Sequence, residues 1–104
     1  MYYTIELPER IKGYELTDAL EKAASRLKWF YGKYPKEGKF GVCFISERGE
    51  GTVLNVMGDV DPEKDYSELS LSSCTRLDAE DFDSFVSTLN DAIRNVIRHR
   101  YGYA

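Results

Sequence analysis

From residue 82 onward the apolar side chains fall at Phe82, Phe85, Val86, Leu89, Ile93, Val96 and Ile97, the spacing of a helix with one buried face. A helix of this kind takes most of its stability from packing that stripe on another element. Its start is well signed. Asp78 reads as the N-cap, Asp81 three residues on makes a variant capping box, and Leu77 with Phe82 forms a hydrophobic staple. Arg94, Arg98, His99 and Arg100 load the last turns with the positive charge that the helix dipole favours.

A second stripe imposes the same demand earlier in the chain. With Thr17 as N-cap and Asp18 and Glu21 in the first turn, Leu16, Leu20, Ala23, Ala24, Leu27, Phe30 and Tyr31 share one face. Gly32 suits the left-handed position after the last turn, and Pro35 forbids resumption.

Short alternating runs supply the covering layer. Tyr2 to Leu7 reads as a half-buried strand stopped by Pro8, and Glu9 to Glu15 as a polar connection. Lys39 to Arg48 is the second strand, Gly49-Glu50-Gly51 a hairpin turn, and Thr52 to Met57 the third strand. Gly58 to Ser67 reads as a loop, and Glu68 to Thr75 as the fourth strand. The expected fold is an α+β two-layer sandwich of order β-α-β-β-β-α. It has a mostly antiparallel four-stranded sheet with both helices on one face.

At 104 residues the chain is expected to form a single domain, residues 1–104. No apolar run approaches membrane-spanning length, and two cysteines, Cys43 and Cys74, do not make a disulfide framework. The expected setting is cytoplasmic with both thiols reduced and no membrane partner.

Charge is where the chain is uneven. Residues 59–83 hold nine of the eighteen acids (Asp59, Asp61, Glu63, Asp65, Glu68, Asp78, Glu80, Asp81 and Asp83) against two bases, Lys64 and Arg76, a net of −7. A polarised charge map steers a basic partner and suppresses wrong ones. Capping and dipole complementarity account for Asp78, Glu80 and Asp81 without any function. The loop acids Asp59, Asp61, Glu63 and Asp65 alternate like the start of a calcium-binding EF-hand loop. Lys64 replaces the glycine of its sharp turn, Pro62 stiffens it, and Ser70 stands where the bidentate Glu belongs. No metal or other cofactor is expected.

Catalytic signals are sparse. The one histidine, His99, falls in the last turn of the second helix, and neither cysteine has a sequence reason to lie beside it. No glycine-rich phosphate loop precedes a helix. Trp29, with Lys22, Arg26 and Lys33 around it, forms a second candidate surface on the first helix: a cation–π stack, an anchor for a partner, or a ring that the N-terminal segment or the tail folds over. Arg94, Arg98, Arg100, Tyr101 and Tyr103 interleave bases with aromatics, as single-strand binders do.

The order of elements resembles a double-stranded-RNA-binding domain with an added first strand. That family grips phosphates with lysines at the start of its last helix. Here the position holds Asp78, Glu80, Asp81 and Asp83, so direct nucleic-acid binding is not expected. Compactness, acidity and the absence of a catalytic motif instead match small acidic inhibitors of the immunity-protein, antitoxin or phage anti-defence kind. The expected function is therefore a non-catalytic module that docks on a basic surface of a partner protein, such as a nucleic-acid-processing enzyme. The alternative is a nucleotide or small-molecule binder with a Tyr-lined pocket and the basic face of the first helix. No feature specifies an oligomeric state.

Overall fold

In a computed structural model of the chain, residues 1–27, 30–36, 39–48, 52–73 and 76–100 are described, with side chains described outside 28–57 and position 100. The elements are β1 (Tyr2–Lys12), α1 (Gly13–Leu27), β2 (Phe30–Lys36), β3 (Lys39–Arg48), β4 (Thr52–Val60), β5 (Asp65–Ser73) and α2 (Ala79–Arg100). The strands form one antiparallel sheet of five, in the order β1-β5-β4-β3-β2. The α+β class holds, but the four-stranded β-α-β-β-β-α arrangement does not: a fifth strand, β2, makes the order β-α-β-β-β-β-α. Its residues are those expected to end the first helix. Phe30, Tyr31 and Tyr34 belong to the aromatic class that favours a pleated surface, and β2 pairs with β3 from Phe30↔Ile45 to Lys36↔Lys39.

β2 to β5 is a meander of neighbours, whereas β1 joins from the far end of the sequence. Along the alternating antiparallel order β1 and β2 are parallel at opposite edges, so α1 carries the chain from one edge to the other.

The first strand does not stop at Pro8. It continues to Lys12 through an irregularity between Glu6, which pairs with Glu68, and Ile11, which pairs with Tyr66. An edge strand tolerates proline, and the extra residues of a bulge let pairing resume. That resumption matters because Ile11 is fully buried beyond it.

The first helix starts and ends about one turn earlier than its apolar stripe suggested. Thr17 is not the cap but lies inside α1, where its hydroxyl donates to the Tyr14 carbonyl at 3.0 Å. The helix start is held another way. Glu15 reaches back so that its Oε1 accepts the Lys12 backbone N–H at 3.4 Å, the returning half of a capping box. The Gly13 N–H donates to the Lys64 carbonyl at 2.8 Å and the Tyr14 N–H to the Pro62 carbonyl at 3.3 Å. The β4–β5 turn thus satisfies donors that a helix N-terminus leaves open.

α2 begins where its cap predicted. Asp78 Oδ1 accepts the Glu80 N–H at 2.8 Å, and the Phe82 N–H donates to the Asp78 carbonyl at 2.9 Å. Tyr3 ties this start to β1: its hydroxyl accepts the Leu77 N–H at 2.9 Å, and its ring lies 5.3 Å from that of Phe82. Phe85, Leu89, Ile93, Val96 and Ile97 are buried, as the stripe required. They join Leu16, Leu20, Ala23 and Ala24 of α1, and Ile5, Ile11, Val60, Leu69 and Leu71 of the sheet, in one cluster.

Candidate functional site

Register decides which sheet residues meet the helices. The pairs Tyr3↔Leu71 and Ile5↔Leu69 point into the core, so Tyr2↔Ser72, Thr4↔Ser70 and Glu6↔Glu68 point the other way. Tyr2, Thr4, Glu6, Glu68 and Ser70 are all exposed, which leaves this face of β1 and β5 open to water.

The structure divides the nine acids of residues 59–83 by role. Asp61 belongs to the β4–β5 turn: its Oδ1 accepts the Glu63 N–H at 3.0 Å, its carbonyl accepts the Lys64 N–H at 3.2 Å, and its own N–H donates to the Tyr66 hydroxyl at 2.7 Å. Glu63 is exposed on the same turn. Asp65 opens β5 between two cations, with Lys12 Nζ at 3.2 Å and Arg10 Nη2 at 3.5 Å. Neither pair is deeply buried, so each contributes only up to about 1 kcal/mol. They do neutralise Asp65. Asp61 and Asp65 therefore have structural duties, and the segment read as a loop from Gly58 to Ser67 narrows to a turn between β4, which runs to Val60, and β5, which begins at Asp65.

Asp78, Glu80, Asp81 and Asp83 gather at the start of α2, beyond the other end of β5. Nine residues of strand separate them from the turn, roughly 27 Å at extended rise, so the two acidic groups are distinct patches. Among the described residues, no three His, Cys, Asp or Glu side chains gather to hold a metal ion.

Asp59 and Glu68 remain, both exposed and without an ion pair among the described residues. Glu68 stands directly opposite Glu6, a residue that sequence reasoning left out of the acidic set. The two are 62 positions apart, and only the β1–β5 register brings them together. Like charges directly opposite on an antiparallel pair are destabilising.

The basic–aromatic candidate separates. Lys22 Nζ is spent on Asp18 one turn back, at 3.0 Å, and Arg26 is exposed in the last turn of α1. Lys33 lies on β2, opposite Val42, so it does not share a helix with them. Trp29, Cys74, the Gly49-Glu50-Gly51 turn, Tyr101 and Tyr103 lie outside the described residues, as do the side chains of Lys33 and Cys43. His99 is exposed, its Nδ1–H donating to the Asn95 carbonyl at 2.8 Å.

An open groove of about 220 Å³ crosses the uncovered face where β4 meets β5, lined by Tyr2, Gly58, Asp59, Ser70, Leu71 and Ser72. Among the described residues, no helix is long and apolar enough to cross a membrane.

No protein-family model and no curated protein matches the chain. Among solved structures it is similar to the vertebrate conserved region (VCR) of human METTL16. The TM-score is 0.59 at 10% identity, over 93% of this chain and 96% of that one. At that identity the likeness shows the shared fold and nothing of function.

Proposed function

We propose that this chain is a non-catalytic, cytoplasmic interaction module that docks on a basic surface of a partner protein through the open face of β1 and β5. The observation that carries the reading is the Glu6↔Glu68 pair. Two like charges held opposite one another cost stability, and no described cation relieves them. A local rule broken without a structural gain points to a functional surface. A cationic partner removes that repulsion on docking, and the same charges speed its approach. Occupying the cationic substrate path of a nucleic-acid-processing enzyme in this way would inhibit it without chemistry.

The small-molecule alternative draws less support. The groove, at about 220 Å³, is below the roughly 300 Å³ at which drug-sized sites begin, and Asp59 at its rim repels phosphate.

Glu68→Lys separates structural from functional roles. It turns the repulsive pair into an attractive one, so urea unfolding is expected to show a gain of about 0.5 kcal/mol. Affinity purification from the source cells at low salt is expected to lose basic proteins that the native chain retains. A variant that gains stability and still captures the same proteins overturns the reading.

A further inference from the structure

We propose that the groove between Tyr2 and Asp59 seats one lysine or arginine side chain of an extended partner segment, and that the Glu6–Glu68 pair receives a second cation two residues along that segment. The inference rests on the docking reading above and specifies what docks. Tyr2 is 91% exposed, a large ring left in water at the rim of the groove. Aromatic faces attract cations, arginine guanidinium most often. Asp59, on the same groove, carries an exposed carboxylate, whereas Asp18, Asp65 and Asp91 are each ion-paired. Ser70 and Ser72 add hydroxyl oxygens that accept N–H donors. Ring, carboxylate and hydroxyls together suit a cationic side chain, and the groove's size suits a side chain rather than a cofactor.

Spacing fixes the second contact. Ser70 lines the groove and Glu68 is two residues further along β5, on the same face. Two residues of strand span roughly 7 Å, the same interval at which alternate side chains leave one side of an extended peptide. A basic–any–basic segment lying along β5 therefore brings its second cation to Glu6 and Glu68 and its first to the Ser70 side of the groove, where the Asp59 carboxylate meets it. Tyr2, opposite Ser72, stands one side-chain interval further on and closes the far side of the groove, within reach of a long side chain. A contiguous basic pair points its two side chains to opposite sides and engages only one of these places.

Two acetylated, amidated pentapeptides with serine elsewhere make the test, one with arginines at positions two and four, the other with arginines at two and three. They carry equal charge. Titration into the ¹⁵N-labelled chain at low salt is expected to show the alternating peptide binding about fivefold tighter, the order of one cation–π contact of about 1 kcal/mol. Shift changes should centre on Tyr2, Asp59, Glu68 and Ser70. Asp59→Asn and Tyr2→Ala should each erase the preference, while Asp91→Asn, which removes the same charge on α2, should preserve it. Equal binding of both peptides, unaffected by Tyr2→Ala, means a diffuse acidic attraction; the groove assignment then falls and the docking reading stands. If neither peptide binds and Glu68→Lys leaves the captured proteins unchanged, both fall.

Discussion

Gly13→Ala is expected to destabilise the chain by about 3 kcal/mol, the reverse of what the exchange does inside an ordinary helix, where alanine gains about 1 kcal/mol. A Cβ built on Gly13 would lie 1.9 Å from the Asp61 carbonyl oxygen, 2.7 Å from its carbon and 2.8 Å from the Pro62 Cα. All three are backbone atoms. They cannot swing aside, because Gly13 and Tyr14 donate to the carbonyls of Lys64 and Pro62, and the turn is braced by the Asp61–Lys64 and Asp61–Tyr66 hydrogen bonds. Moving α1 away breaks the contacts that cap it. For a domain of this length, a 3 kcal/mol loss lowers the melting temperature by roughly 15 °C. Gly58→Ala makes the comparison: there the closest atom, at 2.9 Å, is the Cδ2 of Leu71, a side-chain end with room to rotate, although the Ser70 carbonyl follows at 3.1 Å. Its cost should be clearly smaller. Urea unfolding of both variants checks the order, and an unchanged midpoint for Gly13→Ala would show that the turn yields.

Phe85→Ala is expected to cost about 4 kcal/mol. Phe85 is among the largest fully buried side chains, 2% exposed on the apolar stripe of α2, and its removal leaves a cavity beneath a helix that the sheet and α1 surround. Against a typical total of about 5–15 kcal/mol, one such loss puts folding itself at risk. Phe85→Leu refills most of the space and should retain much of the stability, so the pair distinguishes volume from aromaticity. A loss below about 1 kcal/mol for the alanine variant, measured by chemical unfolding, would mean that α2 is not packed as described.

The contrast between the helices explains how much of this fold could be read from the sequence. α2 carries its own start signals, Leu77, Asp78 and Phe82, within six residues, and the structure places its first turn there. α1 has no local cap side chain of that kind. Its start is satisfied by carbonyls about fifty positions away, which no local pattern reveals, so Thr17 took a role that belongs to Lys64 and Pro62. Its end was obscured because Leu27, Phe30 and Tyr31 fit helical spacing while the aromatics also fit a strand, and pairing with β3 decides the matter. The acidic surface was legible in the same partial way. Acid density marked Asp59 and Glu68. It could not separate them from Asp61 and Asp65, whose hydrogen-bonding and ion-pair roles depend on Tyr66, Arg10 and Lys12, nor show that Glu6 belongs with Glu68.

The three prolines of the chain have a common consequence. Pro8 lies on β1 and Pro35 on β2, the two outermost strands, while Pro62 sits in the turn between β4 and β5; the inner strands have none. A proline interrupts the row of N–H donors that an incoming strand would need, and β1 adds a kink beside it. Neither rim of the sheet thus offers a continuous template to another chain. Copies of the protein meeting rim to rim find that row broken on each strand, which shortens the stretch over which they could add to one another's sheet. The same interruption bears on the extended segment proposed above: lying along the face of β5, an inner strand, it is read by side chains rather than by addition to the ladder.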